Sequence, residues 1–103
     1  MGILYLVGAR ASGKTTVGKA LAKKLGMPFA DTDQHLLESA GCSVDQIVET
    51  EGWPGFRLRE SAALREVSDA HPRGCVVSTG GGMILAEANR SLMRQRGMVV
   101  FLD

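Results

Sequence analysis

The chain has 103 residues, 45% of them hydrophobic and 22% charged, with a formal net charge of +1. That length allows one small domain, and so even a charge balance excludes a partner chosen by bulk electrostatics, whether nucleic acid or an anionic membrane surface. The apolar runs fall far short of the roughly 20 residues of a membrane-crossing helix. The first residues carry no basic segment or small-residue cleavage site, so no signal peptide is expected.

In chain order, residues 2–7 form a short apolar run that suits a strand buried on both faces. It leads into Gly8-x-x-x-x-Gly13-Lys14-Thr15, which matches the phosphate-loop pattern at every fixed position. The glycines let consecutive N–H groups turn inward as an anion nest, and the following helix adds the positive end of its dipole. Lys14 offers a mobile charge to β- and γ-phosphates, and the Thr15 hydroxyl is a ligand for Mg²⁺. From Lys14 to Leu25 the apolar positions Val17, Ala20, Leu21 and Leu25 recur at helical spacing, and Gly26 with Pro28 stops that helix.

"PFADTD" reads as a second strand ending in two acids. In extended chain Asp31 and Asp33 point to one side, where a cation and a polyhydroxylated acceptor would share them. The alternative is that one or both cap the helix expected over 34–40. That helix breaks at Gly41. "SVDQIVETEG" follows with Ser43 as its N-cap and Gln46 three residues on, and 56–70 is a further helical stretch. Within it, Arg57 and Glu60 share a helix face. Arg57 offers a planar fork to a carboxylate with Glu60 orienting it, against the plainer reading of a solvated ion pair.

"GCVVSTGGG" is a third strand running into Gly80, Gly81 and Gly82, where bare backbone permits close approach or merely forms a turn. A helix over 85–96 and a fourth strand, "MVVFLD", complete the chain. Strands alternating with helices predict a parallel α/β sheet with right-handed crossovers. In such sheets ligands sit beyond the carboxyl ends of the strands, where the phosphate loop, the acid pair and the glycine triplet all fall.

The remaining candidates carry plainer readings. Cys42 and Cys75 are too few and too far apart for a disulfide framework or zinc site, and are expected to be small apolar residues in a reducing cytoplasm. His35 and His71 have no neighbouring ligand or nucleophile and read as surface or helix residues. Trp53 and Phe56 are expected to pack helices rather than stack on a base, and Asp103 is a secondary metal candidate at the end of its strand. That strand is apolar with no helix after it, so the chain is expected to be the front part of a longer protein.

Together, "GxxxxGKTT", "DTD", "GFRxxE" and "TGGG", in this order and spacing, resemble shikimate kinase, a family of the nucleoside-monophosphate-kinase-like P-loop class. "DTDQ", "EGWPGFR" and "ESAALREV" are most similar to its branch of second isoenzymes from enteric bacteria. The resemblance covers residues 1–103 and implies a three-layer α/β/α P-loop kinase domain. Its reaction is ATP- and Mg²⁺-dependent phosphorylation of the 3-hydroxyl of shikimate, a step of aromatic amino-acid biosynthesis. It further implies a cytoplasmic protein that is a monomer at full length.

Carried over residue by residue, Ala11, Ser12, Gly13, Lys14, Thr15 and Thr16 hold the ATP phosphates. Thr15 ligates Mg²⁺, and Asp31 supports the ion through water. Lys14 and Asp33 are the catalytic pair, Asp33 also binding shikimate hydroxyls. Arg57 pairs with the substrate carboxylate, Glu60 orients it, and Gly80, Gly81 and Gly82 pack against the substrate. The family's lid, adenine loop, second substrate arginine and last strand have no counterpart in these residues, so the chain by itself is expected to bind phosphate better than it turns over. Another small-molecule kinase of the class, acting on gluconate or a nucleotide, and a non-catalytic nucleotide-binding fragment are the alternatives.

Overall fold

The computed structural model describes residues 2–8 and 13–102. Ala11, Ser12 and Asp103, named above as candidates, lie outside them. The elements run β1 (Ile3–Gly8), α1 (Lys14–Leu25), β2 (Phe29–Asp31), α2 (Thr32–Ala40), α3 (Val44–Ala70), β3 (Val76–Ser78), a 3₁₀ turn (Met83–Leu85), α4 (Glu87–Arg96) and β4 (Gly97–Leu102). The four strands form one parallel sheet in the order β2-β3-β1-β4.

Alternation along β1 divides the core. Ile3, Tyr5 and Val7 face α3 and α4 and pack with Leu64, Val67, Val77 and Met93. Leu6 looks the other way, onto Ala22 of α1 and Val76. Helices therefore cover both sheet faces, which is why β1 and β3 read as unbroken apolar runs rather than alternating ones. Truncating the fully buried Leu64 to alanine should cost about 2–5 kcal/mol, from lost transfer energy and the cavity left behind. Tyr5 is equally buried, and its hydroxyl shares a 2.6 Å hydrogen bond with the Ser68 hydroxyl of α3.

Local signals set most boundaries. Glycines in the left-handed region, Gly26 and Gly41, end α1 and α2. Ser43 and Gln46 form the expected capping box at the start of α3. The expected helices over 43–52 and 56–70 run together as α3, broken at Gly52, whose φ of 74° and ψ of 174° leave the helical region. Ile47 before the break and Phe56 and Ala63 after it pack with Leu36 of α2 in a satellite core. Leu64 and Val67, further along α3, pack on the sheet.

"PFADTD" departs from expectation. β2 ends at Asp31 and α2 begins at Thr32, because the Asp31 carboxylate caps the helix by accepting from the Asp33 and Gln34 amides. Asp33 is thus in the first helical turn, and the same-side geometry of an extended pair does not apply. The last helix also starts later than expected, at Glu87, because residues 83–85 wind as a 3₁₀ turn.

Candidate functional site

At the end of β1, main-chain geometry dominates. Gly13 precedes α1 at φ 78° and ψ 23°, a conformation that strains any residue with a Cβ, and it brings no side chain to cap the helix. The first amides of α1 thus point at an anion site. Lys14 is only 7% exposed and donates from Nζ to the Gly8 carbonyl at 2.6 Å, which ties the ammonium to the end of β1.

Thr15, in the first turn of α1, faces Asp31 at the end of β2, with Thr15 Oγ1 donating to Asp31 Oδ2 at 3.4 Å. Because Asp31 Oδ1 takes the α2 amides, the carboxylate caps with one oxygen and offers the other to the cavity. Among the described residues no group of three or more His, Cys, Asp or Glu could hold a metal by itself. A hydroxyl and one carboxylate oxygen nevertheless match Mg²⁺, which is commonly held by one or two protein oxygens together with substrate phosphates and water. Thr15 and Asp31 fit that ion.

The far end is made of side chains resting on bare backbone. A Cβ at Gly80 would stand 2.5 Å from Asp33 Oδ1 and 3.1 Å from Glu60 Oε2, and one at Gly82 would overlap the Arg57 guanidinium. Gly81 has open space instead. Glu60 is 3% exposed and accepts from Arg57 Nη1 at 2.7 Å. The Arg57 guanidinium lies over Trp53 and Phe56, 5.4 and 5.7 Å from their centroids, while those rings meet edge to face at 5.7 Å. Phe56 packs in the satellite core as expected, but Trp53 is 55% exposed and lines the cavity.

All these groups border one cavity of about 490 Å³. It joins Gly13 to Thr16 with Asp31, Asp33, Arg57, Glu60 and the glycine triplet. Sequence reasoning missed Thr79. Both its amide and its hydroxyl donate to the Leu6 carbonyl, at 3.1 and 2.9 Å, tying the cavity floor to β1. Thr79 is the first residue of "TGGG" and ends a buried apolar strand, but was given no role of its own. Leu36, Leu37 and Val44, which give the cavity an apolar shoulder, were also missed.

The remaining candidates lie elsewhere. His35 meets Glu66 at 2.7 Å on the surface of α2 and α3, and His71 bonds the Val67 carbonyl at the end of α3. Both cysteines are free, and burial pushes the Cys75 thiol up to about 11. No helix among the described residues is long and apolar enough to cross a membrane.

The shikimate kinase family profile matches residues 10–103. "Shikimate kinase 2" of Syntrophotalea carbinolica is 54% identical over 100 residues, covering 97% of this chain and 56% of that protein. The shikimate kinase of Acinetobacter baumannii, solved in complex with shikimate, superposes with a TM-score of 0.92 at 42% identity, covering 99% of this chain and 56% of that one. A gluconokinase from Sinorhizobium meliloti shares only the fold, at a TM-score of 0.55 and 23% identity. The chain thus spans about 56% of the length of its curated relative, and it belongs to the shikimate kinase family.

Proposed function

We propose that this chain carries the phosphate and acceptor sites of a kinase that transfers the γ-phosphoryl group of ATP to the 3-hydroxyl of shikimate. One observation carries the reading: a single cavity joins a phosphate loop to an arginine and an aspartate spaced along a glycine floor. An acceptor bearing both a carboxylate and hydroxyls suits that arrangement, because Arg57 takes the first and Asp33 the second. The same reading makes residues 1–103 one kinase domain, acting as a cytoplasmic monomer at full length and using neither nucleic acid nor membrane as partner.

Gly13, Lys14, Thr15 and Thr16 bind the phosphates, with Ala11 and Ser12 assigned to the same loop. Thr15 and Asp31 would hold Mg²⁺, which supplies charge neutralisation on the β- and γ-phosphate oxygens. Asp33 orients the acceptor hydroxyl, whose oxygen bonds to the γ-phosphorus as the bond from that phosphorus to the β–γ bridging oxygen breaks. ADP leaves, and the hydroxyl proton passes to the Asp33 carboxylate. Little proton removal is needed before bond formation in a loose transition state, so orientation is the larger part of Asp33's work. Lys14 offsets charge on the transferring group, while Arg57 and Glu60 fix the acceptor in line, with Gly80 to Gly82 beneath it.

The test is radiolabelled ATP offered with shikimate, gluconate and nucleoside monophosphates to the protein expressed from its complete reading frame. Label is expected on shikimate alone, and transfer to gluconate or a nucleotide in its place would refute the assignment. Because the chain spans 56% of its relative's length, a second reading is binding without turnover by these 103 residues. Under that reading the short chain retains ATP on a filter without shikimate-dependent ADP release.

A further inference from the structure

We propose that Glu51 and Arg59 form a clip that sets the break in α3 and thereby positions Arg57, so that both are positioning residues for the acceptor although neither lines the cavity. The inference rests on the reading that Arg57 receives the acceptor's carboxylate.

In an unbroken helix, residues eight apart are separated by about 12 Å along the axis, and the second lies about 80° round from the first. Stable helical ion pairs use spacings of three and four instead. Here Glu51 and Arg59 meet at two points, Arg59 Nε to Oε1 at 2.9 Å and Arg59 Nη2 to Oε2 at 2.7 Å. The break at Gly52 makes this contact possible. In a regular helix the Cβ atoms of residues 51 and 55 would be about 5–6 Å apart, yet a Cβ added at Gly55 would overlap that of Glu51. The chain has folded onto Glu51 at this point, and Arg59 holds it there. Pro54 lacks the amide that would favour a continuous helix.

The segment enclosed by the clip carries the groups that place the Arg57 guanidinium. Trp53 and Phe56 lie against it as an edge-to-face pair, and Glu60 holds Nη1 from the next turn. A change in the angle at Gly52 turns the limb that carries Trp53, Phe56 and Arg57 as one body against residues 44–51, which pack on α2, and so moves the guanidinium relative to Asp33 of α2. Most exposed ion pairs contribute little because a single contact leaves both side chains free. A two-point pair that closes a backbone break acts on geometry instead. The mutual effect on charge agrees: hydrogen bonding to Arg59 lowers the Glu51 pKa, and hydrogen bonding to Glu51 raises that of Arg59.

The experiment compares Arg59→Gln, the charge swap Glu51→Arg with Arg59→Glu, and Arg57→Ala in the protein expressed from its complete reading frame. KM is measured for shikimate, for its uncharged methyl ester and for ATP. In Arg59→Gln the shikimate KM should rise about tenfold and discrimination against the ester should fall, with the ATP KM changed less than about twofold. The charge swap should restore most of the discrimination. An Arg59→Gln enzyme that still discriminates as wild type, while Arg57→Ala does not, overturns the clip alone. An Arg57→Ala enzyme that still discriminates overturns the Arg57 reading, and the clip with it. Equal rises in both substrates' KM, unrepaired by the swap, would mean a merely structural pair and also refute the proposal.

Discussion

The phosphate end of the cavity is set by the main chain over a few consecutive residues, with Gly13 in the left-handed region, α1 behind it and Lys14 tied back to the Gly8 carbonyl. At the acceptor end the same work falls to side chains brought from α2, α3 and the turn after β3, with Asp33 and Glu60 over Gly80 and Arg57 over Gly82. A backbone-built site is rigid once its helix forms. A site built from converging side chains depends on how several elements pack, so it can be displaced by changes that never touch a ligand. The two ends should therefore fail differently.

The largest effect is expected at the first. Lys14→Met removes the charge assigned to the transferring group in the proposed function, and should lower kcat by about a hundredfold or more with shikimate affinity retained. Steady-state kinetics with both substrates varied would check it, and a loss confined to the acceptor's KM would erase the distinction between the ends. Next comes Gly82→Ala, whose methyl group overlaps Arg57. It should raise the shikimate KM by roughly ten- to a hundredfold while nucleotide affinity, followed by a fluorescent ATP analogue, stays put. Weakened nucleotide binding would show that the two ends are not separable.

Asp33→Asn sharpens the contrast, because it changes charge without shape. It should lower kcat more than about tenfold, as befits a contact made in the transition state. An unchanged kcat with only a raised KM would confine Asp33 to binding.

The smallest effect tests the sheet beneath both ends. Cys75, fully buried just before β3, has its thiol raised from an ordinary 9.0 to about 11 by burial. A raised pKa means the folded state keeps its proton where the unfolded chain loses it. The contribution is therefore complete below pH 9 and is lost as pH climbs towards 11, by about 2 kcal/mol. Urea midpoints at pH 8 and 10.5 should show a shallower alkaline loss in Cys75→Ala, and identical losses would locate the sensitivity elsewhere. Tyr5, also raised by desolvation, would be the next group to test.

The same contrast explains what the sequence revealed. β1, Gly13, α1 and the Ser43 cap declare themselves through neighbours within four residues. The acids of "DTD" were legible as site residues but not as geometry. Whether Asp31 continues a strand or caps a helix is decided by a side chain that does either, and here it caps. The Glu51–Arg59 contact had no periodic signature, since its partners meet only because Gly52 leaves the helical region. That bare backbone admits close neighbours was a fair inference, and it holds at Gly80 and Gly82 but not at Gly81, which faces open space. That those neighbours are the site's own arginine and acids depends on packing between α2, α3 and β3, which spacing cannot specify.

Thr79 bonds twice to the Leu6 carbonyl, and two residues beyond Leu6 the chain enters the phosphate loop. Under the proposed reading, the seats for the alcohol and the nucleotide are thus carried on adjacent parallel strands, whose spacing of about 4.8 Å is among the least adjustable lengths in a protein. The gap that a phosphoryl group would cross is then tied to the pitch of the sheet, and orienting the acceptor is what is left to the side chains of α2 and α3.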